Sequence, residues 1–175
     1  INAYAQAIPV TPALSNVVQL SAQGSIEVQQ DILTISLSAT RESTDASSLQ
    51  VQLKAALESA LAEAKKAVNG NAMAVRTGQF NVFPRYDKNS KINGWQGNVE
   101  FILEGSDFER IASTAGKIQS LTVSNVSFGL SRDQRIVAES KAQAIAINRF
   151  KFKASEISNS FGFSAYTLRE VVISA

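Results

Sequence analysis

The stretch from Thr77 to Gly97, TGQFNVFPRYDKNSKINGWQG, decides the fold of this chain. On its first side Val75, Thr77 and Gln79 alternate with Arg76, Gly78 and Phe80. After the polar centre the alternation returns at Trp95, Gly97, Val99, Phe101 and Leu103. A period of two residues is typical of strands in a sheet. Pro84 cannot donate to a strand ladder, so it marks the end of pairing or an exposed edge. Asp87 to Gly94 is polar and ends in Asn-Gly, which is typical of a turn. The pattern predicts a long β-hairpin and indicates no chemistry by itself.

Strand patterns also precede the hairpin. Val18, Leu20 and Ala22 alternate with polar residues, and Ile26 and Val28 do the same after Gly24. Gly24 predicts a bulge or a close backbone contact. The segment from Leu33 to Thr40 alternates apolar with hydroxylated side chains, which predicts a strand with one buried face.

Helix signals separate the strands. Ser43 or Thr44 is the expected cap of an apolar-striped helix that runs to about Val68, where Asn69-Gly70 stops it. Two capping boxes, Ser106-x-x-Glu109 and Ser131-x-x-Gln134, predict a short helix to about Ile118 and a helix of roughly 30 residues that ends at Gly162. Strands are predicted at Leu121–Leu130 and Tyr166–Ile173.

This order, ββα-ββ-αβ-αβ, predicts an α+β fold with largely antiparallel sheets and layered helices. The length suits one domain or two closely packed α/β-sandwich lobes. Residues 1–16 carry Pro9 and Pro12 without periodicity and are predicted to form an extended N-terminal arm, which leaves 17–175 as the domain. The long C-terminal helix exceeds what a small sheet covers, so it is expected to bridge lobes or join an interface.

Missing residue types exclude several classes of chemistry. The 175 residues include no cysteine and no histidine. Thiol nucleophiles, disulfides, Ser-His-Asp triads and nearly all zinc sites are therefore excluded. The sequence indicates no catalytic residue, no metal site and no cofactor. Direct scavenging of oxidants is disfavoured as well, because Met73 is the single methionine.

Charge indicates no nucleic-acid partner. The net charge is only +2, and the Lys and Arg residues are spread along the chain. The one basic cluster, Arg149, Lys151 and Lys153, has a spacing of two inside a helix, which favours a solvated face over a phosphate track.

No apolar run approaches the roughly 20 residues that span a bilayer. Ala3-Tyr4-Ala5 before Gln6 has the pattern of a signal-peptidase site and predicts the remnant of an export signal.

The hairpin holds the first candidate sites. Phe83, Tyr86 and Trp95 could form an exposed aromatic patch that binds a partner, although a core or hairpin-stabilising role is favoured. Asp87, Lys88 and Lys91 beside Tyr86 could bind a ligand, although a solvated loop is the favoured interpretation.

Two further groups lie outside the loop. Glu100 and Glu104 fall on one face of a strand with Glu109 nearby, where they could serve acid–base work or bind Ca²⁺, or protect an edge strand. Phe150, Phe152, Phe161 and Phe163 form a set for which core packing or a helix–helix contact is the default interpretation. Because Phe150 and Phe152 point in different directions on a helix, one of them is a candidate oligomer contact.

The hairpin resembles the SIMPL-domain family, whose pattern Thr-x-x-Phe-x-Val-x-Pro-x-Tyr is followed by a polar loop and Ile-x-Gly-aromatic-x-Gly/Ala. Its residues here are Thr77, Phe80, Val82, Pro84, Tyr86, Ile92, Gly94, Trp95 and Gly97. The opening block from Val18 to Ile26, closed by Asp31, and the Ala-rich helix from Ala138 to Phe161 are similar to the family too. Gln30 stands where the family usually has proline, and Trp95 where tyrosine is commoner. The resemblance also implies a last strand after Ala175.

The resemblance implies a periplasmic, outer-membrane-associated or secreted protein, linked to oxidative-stress tolerance, with no established active site. Some members assemble into rings, which implies a homo-oligomer. The first hypothesis is therefore an exported, non-enzymatic, self-associating envelope protein. The alternative is a periplasmic binding or adaptor module that recognises a partner protein or ligand through the aromatic hairpin 80–97. An enzyme that uses only carboxylates and lysine is the least favoured reading.

Overall fold

The computed structural model describes residues 16–68 and 70–174. In these residues the elements are β1 (Ile32–Ser43), α1 (Ala46–Ala67), β2 (Met73–Tyr86), β3 (Ile92–Gly105), α2 (Phe108–Lys117), β4 (Thr122–Gly129) and α3 (Arg132–Ser160). The chain divides into two compact units. The sheet unit is Glu27–Val137, and the helical unit is Ile1–Ile26 together with Ala138–Ala175. The predicted arm at 1–16 lies outside the described residues except for Asn16.

The sheet unit holds one antiparallel sheet in the order β2-β3-β1-β4. β1 is central, because it pairs with β3 on one side and with β4 on the other. Both α1 and α2 pack on β1 and β3. This arrangement confirms the predicted α+β class with an antiparallel sheet and a long C-terminal helix.

One face of the sheet forms the core with the two helices. Alternate residues of the central strands point inward, because successive side chains in a strand face opposite sides. The buried set is Leu33, Ile35, Leu37 and Ala39 of β1, Val99, Phe101 and Leu103 of β3, Leu49, Leu53, Ala60 and Ala64 of α1, and Ile111 and Ala115 of α2. The other face carries mainly hydroxyl, amide and charged side chains, as the alternation from Leu33 to Thr40 predicts, together with the buried Ile102 opposite Ser36.

Aspartates, and not the predicted hydroxyl residues, cap the first two helices. Asp45 is the N-cap of α1, and its Oδ2 accepts from the N–H of Ser48 at 2.6 Å. Asp107 caps α2 in the same way through the N–H of Arg110, at 3.1 Å. The predictions of Ser43 or Thr44, and of Ser106, are therefore wrong by one or two residues. A carboxylate at the N-cap satisfies a free N–H and also carries a charge that the helix dipole favours.

Two predicted strands are absent from the described structure. Neither 18–28 nor Tyr166–Ile173 forms a strand, because no described segment supplies the ladder that an isolated strand requires. The first of them nevertheless alternates in burial. Leu20, Ala22, Gly24 and Ile26 are half-buried, whereas their odd-numbered neighbours are exposed. The alternating sequence therefore packs side chains without forming a sheet.

The helical unit is built on α3, which begins and ends as predicted. Ser131 Oγ accepts from the N–H of Gln134 at 3.2 Å. At the other end Gly162 adopts φ +83°, and the N–H of Phe163 donates to the carbonyl of Ser158 at 2.9 Å. The segment around Gly24 lies directly against this helix, since a Cβ at Gly24 would collide with the carbonyl oxygen of Ala142. The predicted close backbone contact at Gly24 is confirmed.

Candidate functional site

The loop of the β2–β3 hairpin is organised by one carboxylate. Asp87 Oδ1 accepts from the N–H groups of Asn89 and Lys91 at 2.8 and 2.9 Å, and Ser90 takes φ +60° between them. The turn therefore closes at Asp87–Lys91. The Asn93-Gly94 pair lies within β3 and does not form the predicted turn. Because Asp87 Oδ1 is occupied by the loop's own backbone, the structure gives this residue a conformational role.

The three candidate aromatic residues do not share one surface. Phe83 and Tyr86 are 57% and 60% exposed, whereas Trp95 is half-buried and packs against the core. Pro84 pairs with Trp95 in the register, and Phe83 pairs with Gln96, so Phe83 lies on the opposite face of the hairpin from Trp95. The hairpin thus presents the exposed rings of Phe83 and Tyr86, and Trp95 does not lie on the face that Phe83 occupies.

The candidate carboxylates on the sheet are engaged with neighbours. Glu104 Oε2 lies 3.5 Å from Arg76 Nη2 and accepts from Thr34 Oγ1 at 3.2 Å. Glu100 accepts from the N–H of Gln79 at 3.5 Å, at the point where β2 bulges. Among the described residues no three or more acidic side chains converge into a metal-binding group. The arrangement fits ion pairing and hydrogen bonding across the sheet better than acid–base chemistry.

Apolar side chains continue past the core onto the edge strand β4. Val123, Val126 and Phe128 are 47–53% exposed. Val126 pairs with Ile35 and Phe128 pairs with Leu33, so they stand on the same face as the buried core residues. The ring of Phe128 lies 5.6 Å from that of Phe108, centroid to centroid. This β4 row, Val123, Val126 and Phe128, has no counterpart in the sequence-based candidates. Val123 joins it only through the register shift between Ser36 and Leu37, and Val126 and Phe128 alone also fit a buried strand.

Phe150 and Phe152 lie on the helical unit. Phe150 is half-buried and Phe152 is 66% exposed. The two side chains point in different directions, as their spacing on a helix predicts. Their role in an oligomer stays a prediction.

The start of α3 is tied to the start of β1. Ser131 donates from its N–H to Asp31 Oδ1 at 2.6 Å, and the N–H of Asp31 donates to the carbonyl of Gly129 at 3.0 Å. Hydrogen bonds from the Ser131 side chain and then from its backbone N–H lower the pKa of Asp31 below its ordinary value of 3.8. Asp31 therefore stabilises the folded state in its ionised form.

Replacing Asp31 with asparagine is expected to lower the thermal midpoint near neutral pH, with a difference from the wild type that shrinks as pH falls. The folded-state pKa is depressed, so the stabilisation is present above the ordinary pKa of 3.8 and is lost as pH falls through the folded value. Thermal unfolding of both proteins from neutral pH down to about pH 2 measures this. A difference that stays constant over the range would contradict the role of Asp31.

Comparison with known families agrees with the resemblance of the hairpin. The model of the SIMPL family, described as a protein of unknown function (DUF541), matches residues 18–175. No curated protein matches the chain significantly. Among the described residues, no helix is both long enough and apolar enough to cross a bilayer. A match over nearly the entire length is decisive, and the chain belongs to the SIMPL family.

Proposed function

We propose that the protein is an exported, non-enzymatic component of the bacterial cell envelope that associates with further copies of itself and contributes to oxidative-stress tolerance. Membership of a family without a known activity supports the non-enzymatic part. The absence of cysteine and histidine from the sequence supports it too. The Ala3-Tyr4-Ala5 pattern supports export.

The β4 row is the observation that carries self-association. Half of each side chain in this row is exposed, although the same layer is fully buried one strand away, at Leu33 and Ile35. Apolar rows left open at a sheet edge favour burial against another chain. β4 also contains neither proline nor any charged residue.

The opposite edge of the sheet has the features that oppose pairing. β2 carries Arg76, Arg85 and Pro84, and its register shifts between Thr77 and Phe80. Charges, proline and bulges on an edge strand hinder the addition of a further strand. Arg85 is held in an ion pair with Glu42, which keeps a charge fixed at this edge. The contrast between the two edges favours β4 as the surface that meets a second copy.

Any protection against oxidants would act through an assembly or a partner. Met73 is only 2% exposed, so the single methionine of the sequence is shielded from solvent. Reversible oxidation needs an accessible sulfur atom. Structural support of the envelope is therefore the form of protection that the chain's chemistry fits.

Replacing Val126 with lysine is expected to reduce the mass of the particle in solution. The charged side chain would stand on the β4 row, where burial against a second copy would cost several kcal/mol. Light scattering on the wild type should give a mass above the 18.8 kDa of one chain, and the variant should approach one chain. Val51→Lys is the matched control, because Val51 is 67% exposed on α1, away from the sheet edge.

A wild type that runs as a monomer at micromolar concentration would contradict self-association. An oligomer that Val126→Lys leaves intact would place the interface elsewhere, with Phe150 and Phe152 as the next residues to test. Fractionation of cells tests the location separately, and a mature protein in the cytoplasm would contradict export.

A second candidate function is a periplasmic binding or adaptor module that acts through the hairpin 80–97. The exposure of Phe83 and Tyr86 at the end of a hairpin with an organised loop favours it. Large exposed aromatic side chains are enriched at protein interfaces. Phe83 and Tyr86 would carry the recognition, and Trp95 would hold the hairpin against the core.

Replacing Tyr86 with alanine is expected to weaken capture of an envelope partner while leaving the melting temperature nearly unchanged, because the ring is exposed. Trp95→Ala is the contrasting variant, since loss of a ring packed on the core should lower the melting temperature. Pull-down from envelope extract with each variant measures the first effect, and thermal unfolding the second. Equal capture by the wild type and the Tyr86→Ala variant would exclude Tyr86 from recognition.

A further inference from the structure

An open cleft of about 790 Å³ lies within the helical unit, between α3 and the segment that precedes Gly24. Its lining residues are Ser21, Ala22, Gln23, Asn148, Arg149, Phe152, Lys153 and Glu156. Clefts of this volume are the usual size for small-molecule sites, which combine apolar surface with a few polar groups. The close contact of Gly24 with Ala142 holds the two walls together.

The cleft has one cation whose position is fixed. Arg149 Nη1 donates to the carbonyl of Gln23 at 3.0 Å, which joins the helix wall to the segment wall. A guanidinium has five N–H donors, so this bond leaves others available. Because the side chain is already anchored, binding an anion would cost less conformational entropy than it would at a free arginine.

The charges of the cleft favour a singly charged anion. Lys153 stands one turn beyond Arg149 on the same wall, and neither side chain forms an ion pair with a described residue. Glu156 supplies one negative charge to the lining. Two cations and one carboxylate give a net charge of one positive unit, which matches a carboxylate better than a phosphate dianion.

The apolar part of the cleft comes from Phe152 and Ala22. Phe152 is 66% exposed even though it lines a concave surface, so its ring has a free face. An exposed ring beside two cations is suited to a ligand that is apolar at one end and anionic at the other. Lys151 lies between Phe150 and Phe152 in the sequence but is absent from the lining, because it points away from this side of the helix.

From this geometry we infer that the cleft binds a small organic carboxylate, with the carboxylate on Arg149 and Lys153 and an aromatic or alkyl group against Phe152. This role differs from the solvated face that the sequence alone favours for the basic cluster. The sequence could not reveal it, because the second wall, from Ser21 to Gln23, lies more than a hundred positions away along the chain.

Titration calorimetry of the full chain with 4-phenylbutyrate tests the inference. Saturable binding is expected, with a Kd of about 1 mM or tighter. Acetate, which lacks the apolar group, and 4-phenyl-1-butanol, which lacks the charge, should each bind at least about tenfold more weakly. N-acetylphenylalanine presents the carboxylate of a peptide end, and tighter binding than 4-phenylbutyrate would identify a chain terminus as the source of the ligand.

Matched variants locate the site. Arg149→Gln and Lys153→Gln should each weaken 4-phenylbutyrate about tenfold, whereas Lys151→Gln, with the same charge change on the same helix, should change it less than about twofold. Phe152→Ala should weaken binding, and Phe161→Ala, which removes a ring that is 71% exposed outside the cleft, should not. Circular dichroism confirms that each variant is folded.

Absence of saturable binding by any of the carboxylates would overturn the inference. Equal losses for Lys151→Gln and Lys153→Gln would also overturn it, because they would show attraction to overall charge. Both results leave the proposed self-association untouched, since light scattering on the same samples reports the particle mass independently.

Discussion

Replacing Leu53 with alanine is expected to lower the free energy of unfolding by about 2–5 kcal/mol. Leu53 is fully buried on α1, and its Cδ1 lies over Gly97 of β3. The truncation removes apolar contacts and leaves a cavity between the helix and the sheet, which close-packed neighbours fill only in part. Urea denaturation measures the loss. Val51→Ala is the control, because this side chain of the same helix is 67% exposed and should change stability little.

The same contact can be examined from the strand. A Cβ at Gly97 would lie 2.6 Å from Leu53 Cδ1 and 2.8 Å from the carbonyl oxygen of Asn81, so Gly97→Ala alone should destabilise. In the Leu53→Ala background the added methyl group should cost less, because the clash with Leu53 is gone, while the close contacts with the Asn81 carbonyl oxygen and with Val82 Cγ2 at 3.2 Å remain. Strictly additive losses would contradict direct packing of Leu53 on Gly97.

Replacing Gly24 with alanine is expected to detach the segment before β1 from α3. The new Cβ would collide with the carbonyl oxygen of Ala142 and would lie 2.8 Å from the N of Ala146. These are backbone atoms of a regular helix, so they cannot move aside as the end of a side chain can. The segment has no strand ladder of its own, and leaving the helix is therefore its cheapest response.

Proteolysis after the exposed Glu27 should report this release. A glutamate-specific protease should cleave the Gly24→Ala variant about tenfold faster than the wild type, because cleavage follows the population of the open segment. Gly129→Ala is the matched control, since a Cβ there meets nothing within 4 Å. Unchanged cleavage would contradict the prediction, because it would show that α3 shifts to accommodate the added methyl group while the segment stays bound. The variant should also lose the carboxylate-binding cleft, whose second wall is this segment.

The sequence predicts the elements that carry their own periodicity. The hairpin, the strand at Leu33–Thr40 and the long C-terminal helix all form, because alternation and capping are local signals. It misplaces two helix starts, since Asp45 and Asp107 compete with neighbouring hydroxyl residues as caps and only the folded backbone selects between them. The strands predicted at 18–28 and Tyr166–Ile173 do not form, for another reason. An alternating sequence specifies which side chains share a face, but it does not supply the neighbouring strand that a ladder needs.

The sequence predicts the candidate surfaces less well than it predicts the secondary structure. The sequence identifies Phe83, Tyr86 and Trp95 as a group, but the register separates Phe83 from Trp95. It provides no signal for the pairing of Arg149 with Gln23, because that contact joins distant segments. Local patterns thus predict which residues can act, and tertiary structure decides which of them meet.

The central position of β1 has a consequence for how the chain acquires its structure. Leu33 pairs with Gly105 on one side and with Phe128 on the other. β1 therefore cannot complete its pairing until β3 and β4, which both follow it in the sequence, have been synthesised. The two ladders of β1 close long loops, which slows their formation, whereas the β2–β3 ladder closes through a short loop. The topology thus allows the β2–β3 hairpin to form first, and the insertion of β1 between β3 and β4 is the step that completes the sheet.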